Sequence, residues 1–210
     1  MKKKLLLLLF SFMFGISYSQ VLKTEAKTIT GTFDAKDKSK SDLFSSINKW
    51  ISINYNSAKN VIQMNDLESG TIIVKGINSV EFKNPSKQMY PNNKYIPAIT
   101  SVNFDHLIEI NIKDNKYRIM YKITGVDTEG YDKLFFNCIN LDTLDNNAIE
   151  LYNQKIQENF KNGSIGKEKK ETFLAQSIPM FQEINTKLRD KIKLTILSIN
   201  KAVSENNDDW

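Results

Sequence analysis

The chain has one histidine, His106, and one cysteine, Cys138, so nucleophilic or metal chemistry would have to pass through very few side chains. A hydroxyl nucleophile needs a base within reach, and His106 is the side chain that titrates near neutrality. Phe104, Ile108 and Ile110 share its alternation, which sets the imidazole on the apolar side of a strand and reads as a buried histidine rather than a base. Cys138, beside Phe136 and Ile139, reads as a small buried hydrophobe with no basic neighbour to activate it. A lone cysteine also permits no intramolecular disulfide and no cysteine-based zinc cluster. Asp127-Thr128-Glu129-Gly130 lacks the ligand spacing and closing glutamate of a calcium loop, and no glycine cluster precedes a helix as a phosphate cradle requires. Asp66 and Glu68 could in principle flank a glycosidic bond, but beside Ser69-Gly70 they read as solvated turn residues. These residues point to a chain with no catalytic centre, no metal and no cofactor.

What remains are side chains suited to contact. Tyr90 and Tyr95 lie in a segment, Asn84 to Pro97, that holds three of the four prolines and reads as a long loop. Glu109, Arg118 and Lys122 belong to a hairpin whose two strands agree on one register. Val102, Phe104, His106, Ile108, Ile110 and Ile112 share one face of the first strand, and Tyr117, Ile119, Tyr121 and Ile123 share one face of the second. A turn at Asp114-Asn115 pairs Ile112 with Tyr117 and His106 with Ile123, which sends Glu109, Asn111, Arg118 and Lys122 to the opposite face.

Other elements must hold that hairpin. Thr28 to Phe33 reads as an extended lead-in. Ser39 with Asp42 has the capping-box spacing, and Leu43, Phe44, Ile47, Trp50 and Ile51 then form one helical stripe. A further hairpin is expected from Asn60–Met64 and Thr71–Lys75 around Gly70, with Met64 facing Ile72 and Ile62 facing Val74. Past Gly125, Leu134-Phe135-Phe136 and Ile139 suggest a last strand. Asp142 or Asp145 would cap a helix carrying Ile149, Tyr152, Ile156 and Phe160, stopped by Asn162-Gly163. Leu174, Ile178, Phe181, Ile184, Leu188, Ile192, Ile196, Ile199 and Val203 mark one long final helix that Pro179 either starts or kinks.

The first residues, MKKKLLLLLFSFMFGISYSQ, have a basic start, an apolar run too short to span a bilayer, and small residues at Ser17 and Ser19, so residues 1–19 read as a signal peptide cut before Gln20. Three of the 29 basic residues and none of the 24 acidic ones lie in that leader, leaving 26 against 24. The excess positive charge of the whole chain is therefore no argument for nucleic acid. An exported soluble protein, periplasmic or secreted, is expected, with no transmembrane segment and no lipid anchor.

The run from Trp50 to Gly76, WISINYNSAKNVIQMNDLESGTIIVKG, followed by LIEINIKDNKYRIMYKITGV from Leu107 to Val126, resembles an exported bacterial family, domain of unknown function 4468. The resemblance rests on Trp50, the Val61-Ile62-Gln63 strand, the Asp66 to Gly70 turn and the start of the strand at Lys116-Tyr117-Arg118. It implies a TATA-binding-protein-like α+β fold, an antiparallel sheet with helices on one face in the order β-α-β-β-β-β-α, and it transfers no activity and no catalytic residues. Residues 20–126 would form the sheet domain, 127–204 a helical part on the same sheet, and 205–210 a frayed tail. The expected function is a non-enzymatic envelope interaction module contacting a protein or another envelope component through Tyr90, Tyr95, Glu109, Arg118 and Lys122. A carrier is the alternative, with a small apolar ligand in a cavity lined by Phe104, Ile108, Tyr121, Ile184 and Leu188.

Overall fold

Alternation over two long strands dictates the centre of this molecule, and the computed structural model, which describes residues 22–127, 132–161 and 165–205, builds outward from it. The chain begins with β1 (Lys23–Glu25), β2 (Thr28–Asp34) and α1 (Lys40–Asn54). Ser39 Oγ accepts from the Asp42 amide while the Asp42 carboxylate accepts from the Ser39 amide, a reciprocal cap that contributes about 1 kcal/mol to the helix start. Leu43, Ile47, Trp50 and Ile51 are buried along one stripe, with Phe44 packed at its margin.

Where Asn60–Met64 was expected as a strand, a short turn of helix, α2 (Ala58–Val61), precedes β3 (Ile62–Asp66). Ile62 pairs with Val74 as the pattern requires, but a register shift follows, and Met64 pairs with Ile73 instead of Ile72. One extra residue turns the following side chains to the other face, which leaves Met64 37% exposed. At the turn, Gly70 takes φ of +70°, and a Cβ there would sit 2.3 Å from the Ile112 carbonyl oxygen, so only glycine fits.

The strand after it, β4 (Thr71–Lys83), is longer than the expected Thr71–Lys75. Asn84 then caps α3 (Pro85–Met89) through Oδ1, so the segment read as loop contains a helical turn started by proline. β5 (Ile99–Lys113) and β6 (Lys116–Asp127) carry the anticipated register, with Ile112 opposite Tyr117, Ile108 opposite Tyr121 and His106 opposite Ile123.

The expected last strand at Leu134–Ile139 is a helix, α4 (Asp132–Cys138). Its support is tertiary. Lys27 Nζ reaches the carbonyls of Phe136 and Ile139 at its C-terminal end, and Phe135 packs against Tyr152 and Phe181 with ring centroids 6.2 and 5.0 Å away. Burial pulls the Lys27 ammonium down to about 8. Asp145, rather than Asp142, accepts from the Ala148 amide at the start of α5 (Asn146–Lys161). The single final helix resolves into α6 (Lys167–Ala175) and α7 (Ser177–Glu205), parted at Gln176. Pro179 lies in the first turn of α7, where its missing N–H costs nothing, and Ile178 points out, 51% exposed, rather than joining the buried stripe. The expected helix stop at Asn162-Gly163, the leader and the tail beyond Glu205 lie outside the described residues.

The sheet order is β1-β2-β6-β5-β4-β3, with every neighbouring pair antiparallel. The order of elements is thus β-β-α-α-β-β-α-β-β-α-α-α-α, richer than the β-α-β-β-β-β-α expected. One core holds the inner sheet face, α1 and α7 together; Trp50 Nε1 donates to Ser198 Oγ at 2.9 Å and fastens the two helices. Beyond Val74 the outer edge of β4 has no strand beside it among the described residues. There α7 shields it, with Lys191 and Lys187 donating to the Ser79 and Glu81 carbonyls and Glu183 accepting from the Lys83 amide. No described helix is long and apolar enough to cross a membrane.

Candidate functional site

The core-facing row of β4 should be apolar throughout, and at two successive places it is not. Ile72 and Val74 are followed by Gly76 and Asn78 before Val80 and Phe82 resume. Gly76 stands opposite His106 on β5, and a Cβ at Gly76 would lie 2.7 Å from His106 Nε2 and 2.8 Å from Cε1. The imidazole occupies the space that glycine leaves. On the other flank, β6 carries one extra residue between the Asp105–Gly125 and His106–Ile123 pairs, a bulge that re-aims this part of the strand.

His106 is 3% exposed and stacks on Tyr121, with ring centroids 4.6 Å apart. Its Nε2 is 3.5 Å from the Tyr55 hydroxyl, and its Nδ1 is buried with no hydrogen bond of normal geometry among the described residues, the Phe104 backbone being the polar group near the ring. Burial holds the imidazole down to about 4, so the ring is neutral at physiological pH, with one nitrogen able to donate and the other to accept. The Tyr121 hydroxyl accepts from Asn78 Nδ2 at 2.5 Å. Burial raises the Tyr55 phenol to about 12 and pushes Tyr121 higher still, so both hydroxyls keep their protons.

These groups open into a pocket of about 360 Å³ between the sheet, the end of α1 and α7, completed by Trp50, Asn54, Asn56, Ile77 and Thr195. The described residues lining it include no Asp, Glu, Lys or Arg. Ile77, on its lining, is an apolar side chain 66% exposed to water. A neutral, amide-rich and aromatic lining is suited to binding.

None of the anticipated contact residues lies in this pocket. Glu109, Asn111 and Arg118 form a ladder on the open sheet face, in which Asn111 donates to Glu109 at 3.1 Å and its Oδ1 accepts from Arg118 Nη2 at 2.6 Å. Lys122 is exposed on that face in the row of Leu107, Lys75 and Thr28. Tyr90 closes α3 with its ring 4.2 Å from Lys169 Nζ, and Tyr95 is 82% exposed. Cys138 is fully buried and its thiol is pushed up to about 12 by that burial. Asp66 accepts from the Glu68 and Ser69 amides as a turn residue does. Of the five side chains proposed to line a carrier cavity, Tyr121 borders this pocket, while Phe104, Ile108, Ile184 and Leu188 are fully buried in the core. His106 was read as buried and is; what that reading missed is the polar company it keeps, which Gly76 and Asn78 signal in the β4 alternation.

Comparison with known proteins locates the fold. Residues 30–124 match a family described as a domain of unknown function (DUF4468) with TBP-like fold. A crystal structure of a DUF4468 family protein from Bacteroides ovatus superposes with a TM-score of 0.53 at 14% identity, covering 88% of this chain and 90% of that one. A TBP-like protein from Parabacteroides distasonis aligns at 14% identity over 85% of this chain and 92% of its own, with a TM-score of 0.45. No curated protein matches the sequence.

Proposed function

We propose that the chain, whose residues 30–124 match a domain of unknown function (DUF4468) with TBP-like fold, is a non-enzymatic binding module of the cell envelope, and that the pocket around His106 is its recognition site. The observation that carries this reading is an open pocket in which a neutral imidazole, two phenols and three asparagines converge with no charged side chain among its described lining residues. Export is motivated by the leader at residues 1–19, and amino-terminal sequencing of the exported protein should begin at Gln20. The amides at the floor make a wholly apolar cargo a poor fit, because each would lose water without gaining a partner.

Protein-observed NMR with a diverse set of small uncharged compounds tests the site. The perturbed signals should converge on Asn54, Asn78 and the Trp50 indole, and hits scattered over the open sheet face would remove the pocket as the recognition element.

A further inference from the structure

The geometry points to a neutral sugar ring as the occupant of the His106 pocket, an inference that rests on the binding reading above and names the ligand class. Charge decides the first step. With no Asp, Glu, Lys or Arg among the described lining residues, a carboxylate, phosphate or ammonium ligand would give up its hydration with no counter-charge to replace it. The imidazole does not supply one either, because its burial keeps it uncharged at neutral pH.

Hydrogen bonding decides the second. The amides of Asn54, Asn56 and Asn78 and the phenol of Tyr55 are chemically both donors and acceptors, and although Asn54 also donates to the Trp50 carbonyl and Asn78 to the Tyr121 hydroxyl, each amide keeps a second N–H and its carbonyl oxygen. A sugar hydroxyl has the same dual character, so a ring bearing several hydroxyls can meet such groups at many points around its edge. An apolar ligand would leave them dry.

Ring geometry decides the third. A flat aromatic base or amide binds best between parallel faces, but His106 and Tyr121 already spend one face each on their mutual stack, and Trp50 meets Tyr55 edge-on at 79°. Among these rings no parallel pair stands open to receive a flat ligand between its faces. Such walls suit a puckered ring that presents axial C–H groups in one direction and hydroxyls in the others, and exposed Ile77 on the lining suits a C–H patch of such a ring.

The test is a titration of the isotopically labelled protein with methyl α-D-glucopyranoside, methyl β-D-galactopyranoside and N-acetyl-D-glucosamine, with D-glucuronate as the charged control and indole and benzamide as flat uncharged controls. At least one neutral sugar should move the side-chain amide signals of Asn54, Asn56 and Asn78 together with the Trp50 indole N–H, while D-glucuronate should leave them unchanged. Asn78→Leu should weaken that sugar by about tenfold or more. Asn56→Ala, in an exposed loop where folding is not at stake, should weaken it in the same direction. If indole or benzamide moves these signals and no sugar does, the sugar assignment falls and the pocket stands. If no probe moves them, both fall, and a sugar bound equally well by wild type and both variants overturns the assignment of the site.

Discussion

His106 and Glu109 stand three residues apart on the same strand and show two ways for a sheet to carry polar groups. Glu109, Asn111 and Arg118 lie on the open face, where each finds a partner across the ladder and water supplies the rest. His106, with Tyr55, Asn78 and Tyr121, lies on the inner face, where water is scarce and Nδ1 has no hydrogen bond of normal geometry among the described residues. The first arrangement closes on itself and leaves little for a ligand to add. The second gathers uncharged polar groups along a concave pocket, so it is the inner set that marks the site.

The largest effect that separates the two regions should come from acid. His106 has a folded value of about 4 against an ordinary 6.5. Between those values the unfolded chain binds the proton and the folded chain does not. This contribution to stability is complete above the ordinary value and declines as the pH falls toward the folded one. An interval of that width corresponds to about 3 kcal/mol once the pH is below both values. Urea unfolding of the wild type and of His106→Gln, compared between neutral pH and the folded value, should show a steeper acid loss in the wild type by an amount of that order. Parallel profiles would mean that the imidazole is charged or hydrated in the native state, and the contrast between the two faces would disappear.

A smaller loss is expected from Gly76→Ala. The new methyl would meet Nε2 and Cε1 of His106 below 3.0 Å and Tyr55 Cε1 at 3.2 Å, with the imidazole already backed by Tyr121. Overpacking of this kind costs about 2 kcal/mol, partly offset by the stiffer unfolded chain that alanine provides. In a His106→Ala background the same substitution should cost almost nothing, because the clashing ring is gone. A double-mutant cycle at neutral pH measures that coupling, and equal costs in both backgrounds would show that Gly76 does not make room for the imidazole.

How far the sequence discloses these features depends on whether the signal is local. The two alternations of β5 and β6 constrain each other, so register and faces can be read directly, and the Ser39–Asp42 cap is self-contained. α4 is different: Leu134-Phe135-Phe136 has strand-like composition, and its helix depends on Lys27, Tyr152 and Phe181 from distant parts of the chain. The bulge at Met64 and the break at Gln176 shift faces or ends by single residues that periodicity averages over. The pocket suffers from both limits. Gly76 and Asn78 are visible departures only once β4 is known to run to Lys83, and Tyr55, Asn56 and Thr195 join them through the packing of α1 and α7 against the sheet.

The smallest effect belongs to the open face and completes the comparison. Arg118 donates to Asn111 Oδ1 through Nε at 3.2 Å and Nη2 at 2.6 Å, yet its surroundings are solvent, and water can take over either bond when the guanidinium is removed. Arg118→Ala should therefore change unfolding stability by no more than about 0.5 kcal/mol, the range of exposed polar pairs, and should leave the pocket signals and any sugar titration unchanged. A loss several times larger would reveal that the Glu109–Asn111–Arg118 ladder is a structural element in its own right. A lost ligand response would transfer the recognition role from the inner face of the sheet to the outer one.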